Sequence, residues 1–238
     1  MLKKSKKKYE IVRGAISYDL ANFIFNYLLL HRDATAFLMH RGIVKDIGPS
    51  DLWGTWKDKQ IPNTFSKYGD GVLDTLLMKV LPVMRKLTGL SLIPCYSYVR
   101  LYKTGDELVR HRDRKSCEVS YTLFLGGDPW EFFLDPTGKS GVKTAINPHA
   151  AILKKKPNKG LSVLLKPGDM LVYRGCELDH WRKPFKGALH AAAFGHYNDS
   201  DGPEGRKRLF DGRPVLGIPS HDERNEKWPT RTTTTIMK

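Results

Sequence analysis

The chain has 238 residues, 40% of them hydrophobic and 11% aromatic, enough apolar material for one domain with one substantial core. Its longest unbroken apolar run is short, as at Tyr27-Leu28-Leu29-Leu30, where a membrane span needs roughly 20 residues, and the basic start Met1-Leu2-Lys3-Lys4 lacks the apolar stretch of a secretory signal. A net charge of +15 favours anionic partners, while three scattered cysteines, Cys95, Cys117 and Cys176, exclude a disulfide framework and fit a reducing, cytoplasmic compartment.

Residues 1–10 read as a basic arm, with five lysines among the first eight positions. A second basic cluster, Lys154-Lys155-Lys156 with Lys159, keeps nucleic acid open as a partner, although no paired zinc ligands or RNA-binding aromatic signature accompanies it. From Ser17, an N-cap, Leu20, Phe23, Ile24, Tyr27 and Leu28 recur at helical spacing. After a break expected near His31-Arg32-Asp33, Ala34, Phe37 and Leu38 continue the pattern to Gly42. A second helix is expected over about residues 72–87, with Asp70 as cap, Leu73, Leu76, Leu77, Val80, Leu81 and Met84 as apolar stripe, and Gly89 as stop. Pro82 should kink it or split it in two.

From residue 90 the texture becomes β. Short runs at 95–102, 118–125, 130–134, 151–153, 162–165, 170–173 and 189–197 are rich in Val, Tyr, Phe and Leu and separated by turn residues. They predict a mainly β fold with flanking α, a jelly roll or cupin-like barrel. The expected organisation is the arm at 1–10, one domain at 11–197 (helical support 17–89, β core 90–197), and a C-terminal extension or lid at 198–238.

His111-Arg112-Asp113 carries the first chemistry. Residues i and i+2 of a strand share a face, so imidazole and carboxylate can reach one metal together, and His180, after the run Met170-Leu171-Val172-Tyr173, can supply a third ligand from across a jelly roll. Two histidines and one carboxylate on one face of an octahedron form the facial triad of non-haem iron(II) oxygenases. The plain alternatives are a surface His111 paired with Asp113 and a His180 capping beside Asp179.

The flanking residues add a resemblance. The segment Arg100-Leu101-Tyr102-Lys103-Thr104-Gly105, followed by His111-Arg112-Asp113, resembles the R-Y-x-x-G…H-x-D run of prolyl 4-hydroxylase-like oxygenases. So does Pro167-Gly168-Asp169-Met170-Leu171-Val172-Tyr173, leading to His180 and Pro184-Phe185-Lys186-Gly187. The resemblance spans roughly residues 72–197. It implies a double-stranded β-helix holding Fe(II) on His111, Asp113 and His180, with 2-oxoglutarate and O2 as cosubstrates and ascorbate as a candidate reductant. The implied reaction is hydroxylation of a C–H bond, on a protein or peptide side chain such as proline, coupled to decarboxylation of 2-oxoglutarate to succinate. Two other functions stay open: a binding or structural jelly roll with a vestigial iron site, and an oxygenase acting on nucleic acid.

The chain departs from the family at one place. Ten residues after the distal histidine the family carries a lysine or arginine for the far carboxylate of 2-oxoglutarate; here that residue is His190. Its strand parity is inward, shared with Ala192 and Phe194. The expected 2-oxoglutarate contacts are therefore Tyr102 and His190, with Arg100 on the face of Tyr102, and Thr122, which alternates with Phe124. Trp181, next to the distal ligand, is expected to screen the metal from water.

Overall fold

In the computed structural model, residues 8–48, 52–139, 142–143, 152–153 and 158–218 are described. In chain order the elements are β1 (Tyr9–Val12), α1 (Tyr18–His40), β2 (Phe65–Tyr68), α2 (Gly71–Thr88), β3 (Leu92–Lys103), β4 (Leu108–His111) and β5 (Val119–Gly127). Then follow β6 (Phe132–Leu134), β7 (Val142–Lys143), β8 (Ile152–Leu153), β9 (Leu161–Val163), β10 (Met170–Tyr173), β11 (His180–Arg182) and β12 (Leu189–Asp199). A 3-10 segment at Gly205–Gly212 ends the described elements.

Local chemistry sets the helix ends. Ser17 accepts a hydrogen bond from the Leu20 amide at 3.2 Å, and Asp70 accepts from the amides of Val72 and Leu73 at 2.9 and 3.2 Å, so both N-termini are capped by side-chain oxygens. Gly89, at φ +66°, closes α2 in the left-handed region. The break expected at His31-Arg32-Asp33 does not occur, because all three residues keep the amide proton that the helical ladder needs; α1 runs through. Likewise α2 continues through Pro82 as one element.

The strands form a six-stranded sheet, β1-β10-β5-β12-β3-β2, and a four-stranded sheet, β4-β11-β6-β9, with β7 and β8 as a separate pair. Every pairing is antiparallel. The helices cover one face of the large sheet. There Ala21, Ile24 and Leu28 of α1, and Leu73, Leu76, Leu77, Val80, Leu81 and Met84 of α2, bury against Val99, Leu101, Val119, Leu123, Ala191 and Ala193. Each large aliphatic side chain buried this way contributes roughly 1.5–3 kcal/mol. Gly195 is required on this face: a Cβ there would run into the Tyr121 ring and Leu77.

The expected strands are all present, β10 with the expected ends and the others with shifted ones, and five further strands, β1, β2, β4, β7 and β11, appear among the described residues. β1 begins within the stretch expected to be a basic arm, pairing Tyr9 with Tyr173. The lysines at 3–7 and 154–156 lie outside the described residues. β2, β4 and β11 are only three or four residues long, too short for alternation to register. Residues 198–218 return to the body, where Arg213 pairs with buried Asp74 at 2.9 Å and Asp211 receives Tyr68 at 2.7 Å.

Candidate metal centre

β4 and β11 lie side by side in the small sheet with His180 opposite His111, so strand pairing alone brings the two imidazoles together. Their ring centroids are 4.3 Å apart. Asp113 follows β4 and is held by its own amide, which donates to the Gly175 carbonyl at 3.0 Å. Asp113 Oδ1 is 3.6 Å from His111 Nε2 and 3.3 Å from His180 Nε2, and the three ligand atoms all lie within 4.8 Å of one another.

The tautomers follow from the hydrogen bonds. His111 Nδ1 lies 2.7 Å from the Val109 carbonyl and His180 Nδ1 3.1 Å from the Leu178 carbonyl. A carbonyl only accepts, so each Nδ1 carries a proton and each Nε2 is the ring nitrogen turned toward Asp113, as in metal-ligating histidines. Burial and the neighbouring His180 lower the His111 pKa. Burial alone would raise Asp113, but His180 and His111 outweigh it and hold the carboxyl well below its ordinary range. For His180 burial is outweighed by Asp113, and its pKa rises.

Surrounding groups fix this arrangement. Buried Asp179 accepts from Arg110 Nε at 3.0 Å and Arg112 Nε at 2.7 Å, binding both chain neighbours of His111 to the residue before His180. Gly175 lies so close to Asp113 that a Cβ would meet Oδ2. Gln60 donates its amide to His111 Nε2 at 3.2 Å, so that amide and a metal compete for one lone pair. Asp113, Cys117 and His196 form a second possible ligand group. Burial, then Asp113, pushes the Cys117 thiol well up, its sulfur sits 3.2 Å from the Tyr96 hydroxyl, and His196 Nδ1 is 2.9 Å from Ser120 Oγ. A metal needs the thiolate, so His111, Asp113 and His180 are the better set.

The centre opens into a cavity of about 350 Å³ lined by Tyr68, Tyr96, Tyr98, Phe194 and His196, among others. Arg100 belongs to this mouth. Its guanidinium is taken up by Asp58 and Gln60, and Asp58 also receives the Tyr98 hydroxyl at 2.6 Å. Trp181 does not screen the metal side: it points the opposite way along β11, stacked on Phe133 at 5.7 Å with the Arg110 guanidinium 4.2 Å away. Phe132 and Tyr173, 5.7 and 4.8 Å from the His180 ring, supply the apolar wall instead.

Tyr102, Thr122 and His190 are deeper, on the inner face of the large sheet. Tyr102 Oη, Thr122 Oγ1 and His190 Nε2 are buried without a hydrogen-bond partner, and so is Nε of Arg182, a residue the sequence pattern did not single out. Its signal was the same i, i+2 parity that joins His111 to Asp113, here joining Arg182 to His180 on β11. Burial lowers Arg182 to about 10. Burial and Arg182 press His190 well below its usual value, so His190 is neutral. The donor set fits a divalent metal, and the unsatisfied donors of Tyr102, Thr122 and Arg182 fit a carboxylate-bearing ligand. Asp58 and Gln60 were not anticipated either, since the loop bearing them has no periodic pattern.

No family model and no curated protein matches the chain. Solved structures do match. The epimerase SnoN, in complex with Fe3+, alpha ketoglutarate and nogalamycin RO, aligns with a TM-score of 0.58 at 15% identity over 93% of this chain and 94% of its own. AviO1 from Streptomyces viridochromogenes Tue57 gives 0.55 at 12% identity, covering 83% and 92%. A Pseudomonas putida prolyl-4-hydroxylase gives 0.50 at 14% identity, covering 81% and 93%. The antiparallel sheets and these likenesses establish that the chain has the jelly-roll fold of the Fe/2-oxoglutarate-dependent oxygenases.

Proposed function

We propose that the protein is an Fe(II)- and 2-oxoglutarate-dependent oxygenase that hydroxylates a C–H bond. The observation that carries this reading is the pair of tautomer-fixed histidine nitrogens converging with a carboxylate at the wall of a cavity. His111, Asp113 and His180 would hold the iron, leaving positions for 2-oxoglutarate and O2. When bound, the metal and cosubstrate supply oxidative chemistry that gives succinate, carbon dioxide and a hydroxylated product. The chain's own residues orient and shield. Asp179 fixes both metal-bearing strands, Phe132 and Tyr173 exclude water, and the Asp58–Arg100 pair shapes the mouth.

A protein or peptide side chain is the substrate we infer. Support comes from the likeness to a prolyl-4-hydroxylase and from the cavity, which at about 350 Å³ lies near the small end of ligand pockets, roughly 300–1,000 Å³. Cosubstrate and substrate together leave room for a protruding side chain with the rest of the molecule outside. The three free cysteines support a reducing intracellular compartment, and no helix of the described residues is long and apolar enough to cross a membrane. Nucleic acid is the second reading, favoured by the net charge of +15.

The test is turnover of 2-oxoglutarate to succinate with Fe(II), O2 and ascorbate, followed by mass spectrometry of a peptide pool for the gain of one oxygen atom. Succinate formation that disappears in Asp113→Ala is the expected result. Iron-independent succinate formation, or none under any condition, contradicts it. Oxygen gained by an oligonucleotide but by no peptide replaces the peptide reading with the second one.

A further inference from the structure

Four arginines are buried among the described residues, and three have carboxylate partners. Arg100 pairs with Asp58, Arg110 lies 3.0 Å from both Asp135 and Asp179, and Arg213 lies 2.9 Å from Asp74. Arg182, only 1% exposed, makes no ion pair among the described residues. Its Nη1 donates to the Trp130 carbonyl at 2.8 Å, and its guanidinium is ringed by Trp130, Phe132 and Tyr102 at 4.7, 5.3 and 5.9 Å from their centroids. A guanidinium in such surroundings has lost its water, and aromatic faces return only part of that solvation. What it lacks is an anion, and its planar fork matches a carboxylate.

His190 cannot take that role in the form the structure gives it. Its ring stacks on Phe124, 4.5 Å between centroids and 7° from parallel, and its Nδ1 lies 2.8 Å from the Asp128 carbonyl. The carbonyl requires the proton on Nδ1, and burial beside Arg182 disfavours a second proton, so Nε2 is an acceptor. A carboxylate offers no proton to an acceptor. Tyr102 Oη and Thr122 Oγ1, by contrast, are unpartnered hydroxyls able to donate.

We propose that Arg182 is the cation that binds the far carboxylate of the dicarboxylate cosubstrate, with Tyr102 and Thr122 donating beside it and His190 accepting from the same cluster. The proposal rests on the oxygenase reading and specifies how its cosubstrate is held. The cation has moved from the strand that bears His190 to β11, two residues after the metal ligand His180 and on the same inward face. Two residues along a strand advance about 7 Å, so the backbone sets Arg182 one inward position along β11 from the metal ligand.

The test compares 2-oxoglutarate with 2-oxopentanoate, the same 2-oxo acid without the far carboxylate, by anaerobic calorimetry on the full chain loaded with Mn(II). Wild type should prefer 2-oxoglutarate by about ten- to a hundredfold, the value of one charge-assisted anchor. Arg182→Met should abolish the preference while binding 2-oxopentanoate within about twofold of wild type, and should melt at a higher temperature without ligand. Arg182→Lys should keep part of the preference, and His190→Ala should keep its sign. A dicarboxylate preference surviving in Arg182→Met, or lost in His190→Ala but kept in Arg182→Lys, overturns the assignment while leaving the oxygenase reading intact. Wild type that binds Mn(II) at the triad but neither 2-oxo acid overturns both.

Discussion

The two faces of the six-stranded sheet obey different rules. Toward the helices, β12 presents Ala191 and Ala193, which join Leu77, Val80 and Met84 in a continuous apolar core. One residue over, the same strand presents His190, Ala192, Phe194 and His196 to the small sheet, next to Tyr102, Thr122 and Arg182. Tyr121 aside, the buried side-chain polar atoms left without a partner belong to this inner side. The outer face is packed for folding, whereas the inner face keeps buried polar groups unsatisfied at a cost in stability.

The contrast is sharpest in the stability of single variants. Leu77→Ala on the outer face should destabilise by roughly 2–5 kcal/mol in denaturant melts while leaving iron affinity unchanged. On the inner face, Arg182→Met should move stability the other way, up by about 1–4 kcal/mol in the ligand-free protein, because an unpaired buried charge is replaced by a packed apolar side chain. A loss of stability in Arg182→Met would mean that the guanidinium is a structural member of the inner layer.

A smaller effect is expected at Gly175. The added Cβ of Gly175→Ala must displace the Asp113 carboxylate. Iron affinity should fall about ten- to a hundredfold, the scale of a lost supporting interaction, and the melt should fall as well, because the same Cβ meets the Cys117 carbonyl. Unaltered iron binding would show that Asp113 has room to move.

The smallest effect is a pH dependence. The folded protein holds His190 well below its ordinary 6.5. Between that depressed value and 6.5 the unfolded chain binds more protons, so the contribution of His190 to stability is fully present above 6.5 and lost as pH falls below it. His190→Gln should flatten that part of the stability profile. Affinity for 2-oxoglutarate should stay level between about pH 7 and 9, as befits an arginine anchor; a fall as pH rises would restore the charge to His190.

Much of the scaffold was legible in the sequence for local reasons. Asp70 and Gly89 bracket α2 because a cap and a left-handed glycine act within a few residues, and His111, Asp113 and His180 stand in recognisable surroundings. What escaped depends on distant partners. β4 and β11 are strands because they pair with each other, their own residues being mostly charged or aromatic. Gly175 matters because Asp113, the Cys117 carbonyl and Ser120 pack on it across the fold. Arg182 was hidden because β11 is only three residues long, and Arg100, which shares the face of Tyr102, is neutralised by Asp58 from a loop without pattern.

The central claim is that the inner face holds iron and a 2-oxo acid together, and anaerobic titration of the full chain with Fe(II) and then 2-oxoglutarate tests it most directly. A visible metal-to-ligand charge-transfer band should appear, saturate with one metal and one 2-oxo acid per chain, and be absent in Asp113→Ala. Folded wild-type protein that binds Fe(II) and 2-oxoglutarate without developing the band, or binds neither, would contradict the assignment.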